Sequence, residues 1–148
     1  MKVDLFTLAD AAEVGEESKL TITGAGITHI RADTLPFRVE KMASIARMIL
    51  EEGDPDATRP FTLSVRWLRP DGAVIGESET VTIDPDQTRR PHVESGEEWG
   101  AFFVVRMDGI GLTDPGLHRV QLLLHGEPVA ERRIVVVPPE QPERVLGN

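Results

Sequence analysis

A β-hairpin with turn residues before, between and after its strands constrains the fold of this chain most. Its parts, in chain order, are Pro115-Gly116, an apolar stretch from Leu117 to His125, Gly126-Glu127-Pro128, a second stretch from Val129 to Val137, and Pro138-Pro139. Apolar and polar residues alternate along the first stretch, which is the period of two expected for a strand with one buried face. The sequence therefore predicts two antiparallel strands joined by a tight turn.

The same alternation recurs between residues 61 and 68 and ends at the turn Pro70-Asp71-Gly72. A nearly continuous apolar run, Ala101 to Val105, predicts a central strand that is buried on both faces. Because apolar residues in phase with one another share a face, we predict that eight of them are buried in one core. These are Leu63, Val65, Trp67, Phe103, Val105, Val120, Leu122 and Leu124.

Turn signals divide the whole chain into short strands. The predicted strands are Lys2–Leu8, Lys19–Ile30, Arg38–Leu50, Phe61–Leu68, Val74–Ile83, Trp99–Met107, Leu117–His125 and Val129–Val137. Strands at this spacing favour an all-β fold, an antiparallel immunoglobulin-like β-sandwich of about seven to eight strands. We predict a single β-sandwich domain over residues 1–138, followed by a flexible C-terminal tail over residues 139–148.

Residues 38–50 are the ambiguous segment. Val39, Met42, Ile45, Ala46 and Ile49 recur at helical spacing, and strong helix formers surround them. However, Pro36-Phe37 offers no helix-capping residue, and the segment lies between two predicted strands. We therefore predict a strand here and keep the helix as the alternative.

Composition and charge limit the classes of function. The chain has a net charge of −9, with 16 basic and 25 acidic residues, and it has no cysteine. The absence of cysteine excludes a disulfide scaffold, a thiolate metal site and a cysteine nucleophile. Because negative charge repels phosphates, we expect no nucleic-acid partner and no membrane partner. The N-terminal apolar stretch is short and broken by Asp4, so we expect a cytoplasmic protein without a signal peptide.

Short motifs spread over the chain resemble those of an uncharacterised family of small bacterial proteins. They are Lys2-Val3-Asp4, Leu8-Ala9-Asp10, Ala12-Glu13-Val14, Lys19-Leu20, Gly24-Ala25-Gly26, Leu35-Pro36, Arg59-Pro60, Asp71-Gly72 and Pro115-Gly116. The resemblance implies a β-sandwich in which residues 38–50 form a strand. It implies no activity. The turn Glu51 to Asp56 departs from the tryptophan-containing turn associated with relatives.

The motifs of common enzymes are incomplete in this sequence. Gly24-Ala25-Gly26 begins like a dinucleotide-binding loop, but His29 occupies the place of the third glycine and no helix is predicted after it. We read these glycines as a β-bulge or a close backbone approach. No serine lies in a Gly-x-Ser-x-Gly elbow. His118 and His125 are an odd number of residues apart, which places them on opposite faces of one strand. The long loop 84–98 contains His92 and three glutamates and is the candidate location for an enzyme site. Even so, we expect no enzyme and no cofactor.

Acidic turns suggest one speculative metal site. If the predicted strands alternate in direction, the first, third, fifth and seventh connections share one end of the sandwich and collect most of the acidic residues. Crowded carboxylates favour a hard cation such as Ca²⁺, although no Asp-x-Asp-x-Asp-Gly loop is present. The candidate ligands are Asp54, Asp56, Asp84 and Asp86.

Our leading functional hypothesis is a non-enzymatic protein-interaction or structural module with a protein partner or a homo-oligomeric assembly through an edge strand. The alternative is a small-ligand or calcium-binding domain that uses the acidic loops at one end.

Overall fold

The computed structural model describes residues 1–16, 19–51, 53–54, 59–84 and 99–139, with Trp99 described by its backbone alone. In this part of the chain every helix or strand assigned is a strand, so the predicted all-β class is confirmed. The strands are β1 Lys2–Ala9, β2 Ala11–Val14, β3 Leu20–Thr23, β4 His29–Arg31, β5 Phe37–Leu50, β6 Phe61–Leu68, β7 Val74–Glu77, β8 Val81–Ile83, β9 Trp99–Leu112, β10 Gly116–Leu124 and β11 Glu127–Val137.

The strands form three sheets. Sheet A has the order β1-β5-β9, sheet C has the order β4-β11-β10-β6-β7 with β8 also pairing with β6, and β2 and β3 form sheet B. All pairs in sheets A and B are antiparallel, whereas β4 pairs in parallel with β11. The expectation of a purely antiparallel arrangement is therefore wrong: sheet C is mixed, because the chain reaches β4 by a crossing rather than a hairpin.

Residues 38–50 form a strand, as predicted. β5 pairs with β1 on one side and with β9 along its whole length on the other. Both of its faces are covered, so Met42 through Ala46 are all buried. A strand buried on both faces has no alternation of polar and apolar residues, which explains why its sequence pattern also fits a helix.

Sheets A and C contribute side chains to one large hydrophobic core. Seven of the eight predicted core residues are buried, and Leu124 is half-buried at the end of β10. Sheet B covers the opposite face of sheet A, where Ala12 packs with Ala43 and Ile45 in a second, smaller cluster. Sheet A is thus a layer with apolar contacts on both sides.

A buried polar pair lies inside the large core. Trp67 and His118 are both fully buried, and the indole N–H of Trp67 donates to Nδ1 of His118 over 3.0 Å. Because that nitrogen accepts, the other ring nitrogen carries the proton and donates to the backbone carbonyl of Asp114 over 2.8 Å. The two bonds satisfy both polar side chains and fix the loop at Asp114 to the strands β6 and β10.

The turn predicted at Pro70-Asp71-Gly72 is present between β6 and β7. The Asp71 carboxylate accepts from the Ala73 backbone N–H over 2.9 Å and from the Arg69 guanidinium over 2.9 Å. These two interactions, led by the Ala73 hydrogen bond, hold the pKa of Asp71 below its usual value. Gly72 adopts a φ of 88°, a conformation that favours glycine.

Gly26 lies at a close backbone approach, one of the two predicted alternatives for the Gly24 to Gly26 segment, because its amide donates to the Leu8 carbonyl over 2.9 Å. Gly24 and Gly26 both have positive φ values, and they lie between β3 and β4 rather than inside one long strand. A Cβ atom at Gly24 would come within 2.1 Å of an Asp10 carboxylate oxygen. The predicted strand 19–30 is therefore divided at these glycines into β3 and β4.

Truncation of a core residue is expected to destabilise the protein strongly. Val65 and Leu122 are fully buried register partners on β6 and β10, so Leu122→Ala should cost about 2–4 kcal/mol of unfolding free energy. Urea denaturation measures this loss. Val129→Ala, at a residue with 42% exposure, is the control and should change the unfolding free energy by less than about 0.5 kcal/mol. A loss at Leu122 no larger than at Val129 would mean that the buried and exposed faces are exchanged.

We expect a double-mutant cycle of unfolding free energies to reveal a coupling energy between Trp67 and His118. Trp67→Phe leaves the buried His118 Nδ1 without its donor, which should cost about 1–3 kcal/mol beyond the change in packing. In the background His118→Leu, Trp67→Phe should cost less, because the orphaned acceptor is gone. Equal costs in both backgrounds would show that the hydrogen bond contributes nothing to stability.

Candidate functional site

Two of the four predicted metal ligands can be placed. Asp54 lies after β5 and forms an ion pair with the Met1 amino group, and Asp84 directly follows β8. β8 pairs with the beginning of β6, where Phe61 faces Ile83, so both turns lie at the same end of the molecule. Asp56 and Asp86 lie outside the described residues. Within the described ranges no three His, Asp or Glu residues are grouped as metal ligands, and the calcium site stays a prediction.

The prediction that four connections gather acidic residues at one end of the molecule is wrong for one of them. The third, fifth and seventh connections do share an end, since the turn after β10 also lies beside the beginning of β6. The first connection does not. β1 begins at this end, where Lys2 faces Ile49, and runs away from it to Ala9, which faces Ala43. Asp10 and Glu13 therefore lie over the outer face of sheet A, because the chain forms the additional strand β2 there.

His118 and His125 lie apart, but the prediction that both are on one strand is wrong, because β10 ends at Leu124. His118 is buried in the core, whereas His125 is exposed in the turn after β10, with a φ of 50°. His92 and its neighbouring glutamates lie outside the described residues, so the loop 84–98 is described only at Asp84. The expectation that the chain is not an enzyme stays a prediction.

Three solvent-open grooves lie side by side around the end of β1, and we call this region the seam. Their volumes are about 510, 620 and 320 Å³, and the first two share Ile27 while the last two share Asp10, Lys41 and Met42. The seam exists because β1 is joined to sheet C by local contacts rather than by strand pairing. Arg132 donates to the Phe6 carbonyl, and the amides of Gly26 and Ile27 donate to the Leu8 carbonyl.

Polar groups in this seam do not form a nucleophile, base and orienting acid. The Thr28 hydroxyl and His29 Nδ1 are 2.8 Å apart, and Asp10 lines the same groove as His29. An activated hydroxyl needs a base that a third group orients. Among the described residues, no hydrogen bond from Asp10 to His29 provides that third contact.

The outer edge of β9 has no strand partner among the described residues. β9 is 14 residues long and, within those residues, pairs with β5 alone. This corrects the prediction of a central strand at 101–105, because β9 is terminal in sheet A. Phe102 is 39% exposed there, and Arg47 stacks over its ring with 5.9 Å between the guanidinium carbon and the ring centroid.

Most of the other edges in the described residues are short or covered. The outer edge of β1 is covered by the contacts of Arg132, Gly26 and Ile27. The edges of sheet C consist of β4, β7 and β8, each of three or four residues, and of the part of β11 before Val135, with which β4 does not pair. Short strands and covered edges are the means by which proteins prevent unwanted strand pairing. β9 is protected in neither way within the residues described.

Sequence reasoning missed β9 as an edge because edge position depends on pairing across the whole chain.

Within the described residues there is no helix that is long and apolar enough to cross a membrane. That finding is limited to helices and to those residues.

Among solved structures, the chain is similar to the alkylpurine DNA glycosylase AlkC of Pseudomonas fluorescens, bound to DNA containing an abasic site analog. The identity is 13%, the match covers 74% of this chain and 27% of that one, and the TM-score is 0.42. This finding contradicts the expectation that the chain has no nucleic-acid partner, and that expectation is withdrawn. Its physical basis was the net charge, which averages over the chain and does not describe any single face. At this TM-score the likeness supports no proposal of function.

The remaining comparisons concern sequence. Among curated proteins, none matches the chain. A family model described as a family of unknown function, DUF6941, matches residues 4–137, which confirms the resemblance to an uncharacterised family. The chain therefore belongs to this family of unknown function.

Proposed function

We propose that the chain is a non-enzymatic protein-interaction module, built as an immunoglobulin-like β-sandwich, that binds an extended segment of a partner protein along β9. The observation that carries this proposal is the outer edge of β9, which pairs with no other strand in the described part of the chain. An edge strand presents a row of backbone N–H and C=O groups, and an added strand satisfies them.

The side chains of β9 support binding at its first half. Beyond residue 106 the strand approaches β7, where a Cβ atom at Gly76 would come within 2.4 Å of the Ile110 side chain. Between residues 101 and 106, Phe102, Val104 and Arg106 face away from the large core, and Phe103 and Val105 face into it. An added strand would contact an aromatic ring, a half-buried valine and a cation on one face.

The rigidity of β9 further supports this role. Its inner edge pairs with β5 over 13 register positions, and Ser44 of β5 donates its hydroxyl to the Val105 carbonyl over 2.9 Å. Because a preformed strand loses little conformational entropy on binding, an added segment gains affinity from each new backbone hydrogen bond. The sandwich architecture itself is supported by the single core that sheets A and C share.

Peptide selection tests the proposal. Binders selected from a random peptide library should shift the NMR signals of residues 101–106, because they extend sheet A at β9. Phe102→Lys should weaken these peptides by about tenfold or more, since a charge on the strand opposes an apolar partner. Val129→Lys, at a residue of similar exposure on β11, is the matched control and should leave binding unchanged.

Two results would contradict the proposal. In the first, the selected peptides shift the NMR signals of β4 or β7 and leave those of β9 unaffected. In the second, Phe102→Lys and Val129→Lys weaken binding to the same extent. Urea denaturation of both variants establishes that each remains folded during the measurement.

A further inference from the structure

The outer face of sheet C carries three arginines on three adjacent strands, and we call this surface the arginine face. It consists of Arg66 on β6, Arg119 on β10 and Arg133 on β11. The residues on either side of each arginine in the chain include fully buried core residues, such as Val65, Val120 and Ile134. Because side chains alternate between faces along a strand, the arginines point away from the core.

The register brings these charges together. Arg119 lies directly opposite Arg133, and Gln121, two residues further along β10, lies opposite Arg66. Arg66 is therefore the diagonal neighbour of Arg119. Like charges directly opposite each other on adjacent strands destabilise a sheet. A residue pair that opposes local stability in this way points to a role other than folding.

One carboxylate already occupies part of this surface. Glu131 accepts from the Arg119 guanidinium over 3.5 Å and from the Gln121 amide over 3.1 Å. The side-chain carbonyl oxygen of Gln121 in turn accepts from the Arg66 guanidinium over 2.8 Å. In the part of the chain that the structure describes, neither Arg66 nor Arg133 has a carboxylate partner. Glu77 lies opposite Arg66 on β7 without forming an ion pair with it, so three guanidinium groups face two carboxylates, which leaves local positive charge on a chain of net charge −9.

We propose that the arginine face is a docking surface for an acidic segment of a partner protein, whose carboxylates pair with these arginines. Glu131 shows that the surface binds a carboxylate through a guanidinium and an amide together. Adjacent strands lie about 4.8 Å apart, so the three arginines span about 10 Å. Carboxylates two residues apart in an extended segment lie about 6.6 Å apart, close to the diagonal spacing of about 7–8 Å between Arg66 and Arg119.

This surface is separate from the edge of β9, because it lies on the outer face of the other large sheet. The inference therefore goes beyond the proposed function and does not depend on it. Arginine suits the role since its planar guanidinium binds a carboxylate through two parallel hydrogen bonds.

Fluorescence anisotropy with labelled hexaglutamate tests the inference at ionic strengths of about 0.01 M and about 0.15 M. The double variant Arg119→Gln and Arg133→Gln should weaken hexaglutamate binding by at least about tenfold, because two charge-assisted contacts are lost. The matched control is Arg38→Gln with Lys41→Gln, which removes the same charge from exposed positions on β5 of sheet A. The control should change the affinity by less than about twofold.

Three results would overturn the inference. Hexaglutamate could fail to bind the unaltered protein at the lower ionic strength, or both double variants could weaken its binding equally. In a parallel titration, labelled oligothymidylate could bind more tightly than hexaglutamate and lose affinity with the Arg119 and Arg133 substitutions, which would assign the face to nucleic acid.

Unfolding free energy separates a binding role from a structural one. Because Arg119 and Arg133 are like charges on opposed positions, Arg133→Gln should leave the stability unchanged or raise it. A loss of stability in Arg133→Gln would show that the arginine supports the sheet, and the inference would then fail.

Discussion

The pairing of β5 on both sides is the interaction on which the rest of the structure depends. β1 and β9 are joined through β5, and neither pairs with another strand in the described residues. Both faces of β5 are also covered, since Met42, Ala46 and Met48 enter the large core while Ala43 and Ile45 pack beneath sheet B. One strand therefore fixes the layer order of the molecule, and it leaves β9 at the end of its sheet with an outer edge free of described strands.

The sequence predicted the strands that have one exposed face and partly failed elsewhere. β6 was predicted with its observed bounds because buried and half-buried residues alternate along it. β5 kept a helical alternative, since a strand covered on both faces has no such alternation. β2, β4 and β8 were missed as separate elements, and the predicted strand Val74–Ile83 is divided into β7 and β8. Each of the missed strands has three or four residues, and β4 depends on a parallel pairing with β11, more than a hundred residues away.

The location of the candidate surfaces was less predictable than the fold. The order of strands placed Asp54 and Asp84 at one end correctly, because β5 ends and β6 begins at the end of the molecule where β8 also ends. The arginine face depends on which residues lie opposite one another on β10 and β11, and a one-residue change of register would separate Arg119 from Arg133. Net charge gave no indication of it. The free edge of β9 likewise depends on the order of the strands in sheet A rather than on the residues of β9.

Amide hydrogen exchange along β9, followed by NMR, tests the central claim most directly. In an edge strand, alternate amides point to the paired neighbour and to the open side. Between residues 101 and 106 we therefore expect slow and fast exchange to alternate from one residue to the next, while the amides of β5 from Ala43 to Ile49 all exchange slowly. Uniformly slow exchange over residues 101–106 would show that the outer edge of β9 is already paired, and it would contradict the account.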